Sequence, residues 1–185
     1  EADSKTVTDP VTGLIRGESS FLDWRKQTYP LWMEPADIYG SLNLGTNAAY
    51  CQALRVTGMM AQELGEEDTW SDMAADLLED INKQLWFEEK GYYGQYLYGR
   101  HFRSVSPRSE ALGEAFSVLF DIADEEKKLK VLQNTPVTPF GITCIYPQIP
   151  GIPPYHNNGI WPFVQAFWTM ANAGCKQMDA VRAGL

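Results

Sequence analysis

Basic residues are in short supply in this sequence. Fifteen Lys and Arg stand against 24 Asp and Glu, a formal net charge of −9. With no cation cluster to neutralise phosphates, nucleic acid and anionic membrane surfaces are poor partners. Long apolar runs are missing too. None reaches the roughly 20 residues that span a bilayer, so no membrane span is expected. Cysteine is sparse: Cys51, Cys144 and Cys175 lack CxxC spacing, and an odd count cannot close into intrachain disulfides. Buried free thiols are the plain reading. The two histidines, His101 and His156, lie far apart and outside any ligand-spaced cluster. Neither a metal nor another cofactor is expected. GxGxxG, P-loop, EF-hand and GxSxG patterns are absent, so nothing points to nucleotide, calcium or serine-hydrolase chemistry. No signal peptide is visible. The chain begins at Glu1 and not Met, which leads to the expectation that a leader or a larger N-terminal part has been removed.

What remains is rich in apolar and aromatic residues, 44% and 12%, enough to build a core for one domain over residues 1–185. Residues 1–12 read as a polar tail or loop, and Gly13 to Gly17 as a short strand. The stretch Glu18 to Leu44 has no period and holds Trp24, Tyr29, Trp32 and Tyr39 among prolines and charges, the pattern of a long functional loop. Thr46 or Asn47 is expected to cap a helix with Ala49, Leu54, Val56, Met60 and Leu64 inward, stopped by Gly65. A second helix follows the acidic Glu66 to Asp68 start, with Trp70, Met73, Ala74, Leu77, Leu78, Ile81 and Leu85 at i, i+3, i+4 spacing. The short link makes the two an antiparallel hairpin. Gly91 to Arg100 reads as a β-hairpin or aromatic loop. Helices are expected over Ser109–Phe120, Glu125–Gln133 and Ile160–Gly174, with a strand at Ile142–Tyr146 and a last helical segment from Lys176.

The loops hold the unusual chemistry. A sugar ring has apolar faces and a rim of hydroxyls, and a site for it wants flat aromatics, acids, amides and arginine forks. Four loops offer that mixture: Glu18 to Arg25, Gly91 to Tyr96, Ser106 to Glu110, and Pro154 to Pro162. The plainer reading is that these aromatics and prolines pack the loops together. Cleaving a glycosidic bond takes a proton donor and a second carboxylate. Asp23, beside Trp24 and Arg25, is a candidate for the first; a salt bridge to Arg25 or a helix cap would explain it equally well. Glu110 is a candidate for the second, against the ordinary role of a Glu at a helix start. Tyr92, Tyr93, Tyr155, Asn158 and Trp161 are candidate sugar contacts, with Glu18, Trp24 and Arg25 around Asp23.

Three segments, in order, carry a resemblance. ESSFLDWR (Glu18 to Arg25) resembles an ESG-x-D-x-S-P-R segment, LWFEEKGYYGQY (Leu85 to Tyr96) an LW-x-x-x-x-G-x-Y segment, and Phe140 to Trp168 a YG-x-P…P-x-YWRGPVWP-x-x-N segment. These belong to inverting six-hairpin glycosidases related to processing α-glucosidases and mannosylglycerate hydrolases, and the chain is also similar to glycosidases of Bacteroides-type bacteria. Two departures stand out: one extra residue precedes Asp23, and YWRGP becomes YHNNG, without its arginine. The resemblance implies an all-α fold, part of an α/α toroid with short β-hairpins in its loops, of which the chain is an incomplete, C-terminal portion. It implies hydrolysis of an α-linked glucoside or mannoside with inversion. Asp23 becomes the general acid, and the base lies beyond Leu185. The partners would be an oligosaccharide or glycoside and the remainder of the same enzyme, located in the periplasm or outside the cell. A non-catalytic glycan-binding toroid domain and a sugar epimerase are the alternatives, since one helical scaffold hosts several chemistries.

Overall fold

The computed structural model describes residues 6–19 and 28–184. Segment 6–17 folds back on itself around Asp9, whose buried carboxylate receives Arg16 and Arg103, each at 2.8 Å. The strand expected at Gly13–Gly17 reduces to isolated bridges, Ile15 with Thr8 and Gly17 with Leu42. A side chain takes the place of a neighbouring strand: Ile15 N donates to Asn47 Oδ1 at 2.8 Å, and Asn47 Nδ2 donates to Ile15 O at 3.2 Å.

A short helix α1 (Pro35–Tyr39) and strand β1 (Leu42–Asn43) lead into the first long pair, α2 (Leu44–Leu64) and α3 (Trp70–Leu85). α2 starts before the caps expected at Thr46 and Asn47, because both side chains are engaged with the preceding segment. Gly65 ends it at φ 72, a left-handed turn that costs glycine little. Asp68 caps α3, its carboxylate accepting from Trp70 N and Ser71 N at 3.0 Å each. The inward stripe of α3 follows the sequence pattern at Ala74, Leu77, Ile81 and Leu85, which are buried; Trp70 and Leu78 are half-buried, and Met73, expected inward, is exposed. Each large buried side chain among them contributes roughly 1.5–3 kcal/mol. The inward face of α2 differs from the expected one. Val56, Met60 and Leu64 are exposed, and Gly45, Ala48, Cys51, Leu54, Gly58 and Ala61 are buried. Close approach decides this. A Cβ on Gly58 would lie 2.6 Å from Ser71 Oγ, so α3 packs where α2 offers its smallest residues.

Strands β2 (Trp86–Phe87) and β3 (Tyr92–Tyr93) pair with each other, whereas β4 (Tyr96–Tyr98) is the middle of a three-stranded sheet between β1 and β5 (Ser104–Val105). Gly91 to Arg100 is therefore no self-contained hairpin; its two strands belong to different sheets. The changeover falls at Gly94, where a Cβ would meet Val105 Cγ1 at 2.2 Å. After β6 (Ser109–Glu110) come α4 (Ala111–Leu119), α5 (Glu125–Asn134), β7 (Val137–Thr138), β8 (Gly141–Ile142), β9 (Ile145–Tyr146), α6 (Pro162–Gly174) and α7 (Met178–Ala183). Ser109 pairs with Tyr146 instead of opening the helix, and the single strand expected at Ile142–Tyr146 splits into β8 and β9.

The helices form three consecutive pairs, α2/α3, α4/α5 and α6/α7. Their first members pack in a row, α2 on α4 and α4 on α6, with the second members outside them. α4 is central and buried from Ala111 to Val118. Gly45 and Gly113 let α2 and α4 touch, since a Cβ on Gly113 would lie 2.9 Å from Gly45 N. The helix-pair architecture read from the sequence is present. The strands, about 13% of the residues, are confined to short pieces at the loops.

Candidate functional site

Strand alternation starts the site. In β4, Leu97 turns into the main core while Tyr96 and Tyr98 take the opposite face. Tyr96 is buried with Tyr29, Met33 and Ile38, its ring 5.5 Å from that of Tyr29. Tyr98 extends outward and meets Trp32, the two rings 5.4 Å apart and tilted by 52°. Trp32 itself stays 57% exposed. Around this pair opens a cleft of ≈ 400 Å³, lined by Pro30, Leu31, Trp32, Tyr96, Tyr98, Ser106, Pro107, Arg108, Ile149 and Pro150. Three separate stretches of chain meet there beside β4. Among the described residues, no carboxylate lines it. Burial pushes the Tyr96 phenol up to about 12, against the pull of Ser106 and of the Arg108 charge, so it stays neutral at ordinary pH.

Polar side chains fix the walls. Arg108 Nε donates to Pro147 O at 3.1 Å. Asn157, 0% exposed, braces the Ile149–Pro150 wall. Its Oδ1 accepts from Ile149 N at 2.7 Å, and its Nδ2 donates to Ile149 O at 3.1 Å and Ile152 O at 2.8 Å. Asn43 Nδ2 donates to Gly17 O at 2.6 Å, and Thr46 Oγ1 to Glu18 O at 3.1 Å, which holds the half-buried Glu18 at the start of its loop. Asp23, Trp24 and Arg25 lie outside the described residues. The residues flanking that segment are drawn together: Ser19 N donates to Tyr29 OH at 2.8 Å, and Thr28 Oγ1 lies 3.3 Å from His156 Nδ1.

Glu110 takes the ordinary role of a Glu at a helix start. It is 1% exposed and does not line the cleft. Its Oε1 accepts from Leu112 N at 3.0 Å and its Oε2 from Gly113 N at 2.9 Å, capping α4. Burial pushes its carboxyl up to about 7, over the opposing pull of those two N–H groups. Glu114, one turn on, is also buried. Burial raises its carboxyl well above the usual range, against the Tyr93 N–H bond and with the nearby Glu110 adding to the rise.

The other sequence candidates separate into two groups. Tyr93 sits in the core, edge-on to Trp86 at 4.9 Å, with its hydroxyl donating to Asn82 Oδ1 at 2.8 Å. Tyr92 is buried beside Lys90, whose ammonium lies 5.4 Å from its ring. Both candidate sugar contacts are buried, the arrangement of the plainer reading in which the aromatics pack the loops: β3 packs against β2 and turns its rings inward. Tyr155 and Trp161 form an edge-on pair at 5.0 Å around His156, and Trp161 Nε1 donates to Tyr155 O at 3.0 Å. Asn158 is exposed at φ 58, and its neighbour Asn157 does the bonding. Residues passed over in the sequence are Trp32, Tyr98, Arg108 and Asn157. The i, i+2 spacing of Tyr96 and Tyr98 was the available signal for one wall; for Asn157 there was none, because its partners are backbone groups.

Among the described residues, no group of three His, Cys, Asp or Glu is placed to hold a metal ion, and no helix is long and apolar enough to cross a membrane. Cys51 and Cys144 are buried free thiols, and Cys175 is half-buried.

No protein-family model matches the chain, and no curated protein matches it in sequence. Solved structures do share its fold. A GH78-family rhamnosidase of Bacillus sp. GL1 superposes on 98% of this chain at a TM-score of 0.60 and 21% identity. Neutral trehalase from Saccharomyces cerevisiae covers 78% at 0.62 and 15% identity. A rhamnosidase from Klebsiella oxytoca with rhamnose bound covers 96% at 0.58 and 14% identity. The chain spans 17%, 29% and 29% of these three chains. At such identities the likeness is one of fold: the chain has a glycosidase-like helical fold.

Proposed function

We propose that this chain is part of a glycoside hydrolase whose helix pairs close into an α/α toroid, hydrolysing an α-linked glucoside or mannoside with inversion. The observation that carries the reading is the cleft at the loops. Trp32 offers an exposed apolar ring face, flanked by the tilted ring of Tyr98, and Arg108 offers a polar edge, which is what a sugar ring requires. The fold shared with rhamnosidases and a trehalase is in keeping with it. Asp23 is the proposed general acid. Tyr29, at the end of its segment, bonds Ser19 at the start and packs on Tyr96, so both ends of the segment sit behind the cleft. Glu18, Trp24, Arg25, Tyr155, Asn158 and Trp161 are proposed to extend the sugar contacts along the rim. An inverting reaction needs a second carboxylate about 6.5–9.5 Å from the acid. Glu110 spends both oxygens on its own helix, so that base is proposed to come from the remainder of the enzyme. Export to the periplasm or beyond belongs to the same proposal and rests on the sequence resemblance.

In the enzyme carrying this chain, Asp23→Asn is expected to lower kcat by about 10²–10⁴-fold and leave KM nearly unchanged, because only proton transfer is removed. Turnover close to wild type would sink the assignment. One observation favours a second reading, a non-catalytic glycan-binding domain: no carboxylate lines the cleft among the described residues. Under that reading the chain and its Asp23→Asn variant bind sugar equally, and the parent protein hydrolyses nothing.

A further inference from the structure

Arg108 differs from every other described arginine in what its terminal nitrogens hold. Arg16, Arg100, Arg103 and Arg182 each reach an aspartate. Arg55 donates to the carbonyls of Phe120 and Asp121. Arg108 uses Nε alone, on Pro147 O at 3.1 Å, and forms no ion pair among the described residues. That one bond fixes the guanidinium at the cleft wall, with both terminal nitrogens uncommitted among the described residues. Of the six described arginines, Arg55 and Arg108 have no described carboxylate partner, and of these two only Arg108 keeps its terminal nitrogens off backbone carbonyls as well. The net charge of −9 repels anions in general, so an anionic group could be held only beside a local unpaired cation. A half-buried cation without a partner is costly, and a planar carboxylate matches the guanidinium fork with two parallel charge-assisted bonds.

We infer that the sugar taken by this cleft is a uronic acid, its ring on Trp32 and its carboxylate on Arg108. This rests on the carbohydrate reading above and changes its substrate class from a neutral glucoside or mannoside to a uronide. Arg108 is a specificity-determining residue in it, Trp32 and Tyr98 supplying the part of the binding that does not depend on charge.

The test uses pairs of methyl glycosides that differ only at C6, carboxylate against hydroxymethyl, in the gluco, galacto and manno series. Each is titrated into the 185-residue chain while the indole N–H of Trp32 is followed by NMR. At least one uronide is expected to bind about tenfold tighter than its neutral partner, with the advantage shrinking at high salt. Arg108→Gln is expected to bring the uronide down to the neutral partner and leave the latter unchanged; Arg108→Lys keeps part of the preference. The amide spectrum shows whether each variant keeps its fold, and the salt dependence of the unaltered chain needs no variant at all. Equal binding within every pair, or a preference that survives Arg108→Gln in a folded protein, would overturn the uronate inference and leave the carbohydrate cleft standing. A Trp32 signal unmoved by all six sugars would overturn both.

Discussion

α3 is held to α2 by Ala74, Leu77, Ile81 and Leu85, four apolar side chains three or four residues apart. The cleft wall at Ile149 adds to its core burial three hydrogen bonds from one amide, that of Asn157. The contrast runs through the molecule. The helix row bonds its backbone internally and is fixed by burial of Leu44, Leu112 and their neighbours. The loop rim has strands of two or three residues, and side chains of Asn43, Asn47 and Asn157 satisfy its backbone groups. Apolar burial is spread over many contacts, whereas each amide is a local brace. Damage to the row should therefore unfold the whole chain, and damage to the rim should remove the cleft and spare the helices.

The strongest way to break this contrast is Leu112→Ala at the fully buried centre of α4. It is expected to cost about 2–5 kcal/mol in equilibrium denaturation, with helix signal and sugar binding lost together. A cost below about 1 kcal/mol would show that the row is not the core.

The next effect is one of pH and belongs to α4 as well. Because the folded-state carboxyl of Glu110 is raised from 4.5 to about 7, the folded chain keeps a proton that the unfolded chain has released. That contribution is fully present below about pH 4.5 and is lost as pH rises through about 7, on the order of 3 kcal/mol. Denaturation series at pH 5 and pH 8 measure it. Glu110→Gln should flatten the slope in part, and Glu114→Gln, whose carboxyl is also raised by burial, should flatten it as well. A stability that climbs between those pH values would contradict the burial of the pair.

Asn157→Ala sharpens the comparison from the rim side. It leaves Ile149 and Ile152 backbone groups without their partner and is expected to cost about 1–3 kcal/mol. Sugar binding should weaken well beyond that fraction of stability, with the helix signal intact. Asn158→Gly, at an exposed left-handed position, should change stability by no more than about 0.5 kcal/mol. Equal effects at the two positions would remove the assignment of Asn157 as the brace.

The smallest effect is expected on the outer face of α2, where Val56, Met59, Met60 and Leu64 are exposed together. Met60→Glu should alter stability by less than about 0.5 kcal/mol and reduce self-association at high concentration, read by analytical ultracentrifugation.

The same contrast explains what could be read from the sequence. α3 was legible because Ala74, Leu77, Ile81 and Leu85 show the helical period in residues whose burial is unambiguous. α2 misled because its packing face is made of Gly45, Ala48, Gly58 and Ala61, while its large residues, Val56 and Met60, face out; size pointed the wrong way where close approach ruled. In the loops, residue type located the right stretches but not the right residues. Tyr92 and Tyr93 are candidate sugar contacts by residue type and pack inward, since which ring faces solvent depends on a strand pairing that Gly94 switches between sheets. Glu110 was read both as an acid/base group and as a helix cap, and only coordinates show both oxygens on the N–H groups of its own helix.

The central claim is that the aromatic cleft of Trp32, Tyr98 and Arg108 binds sugar. A crystal structure of the chain with an oligosaccharide tests it most directly. A ring stacked on Trp32 beside Tyr98, with a polar substituent on Arg108, is the expected result. Sugar seated elsewhere, for instance in the hollow between α4, α5 and α6 lined by Lys128 and Cys175, with the Trp32 cleft empty, would contradict it.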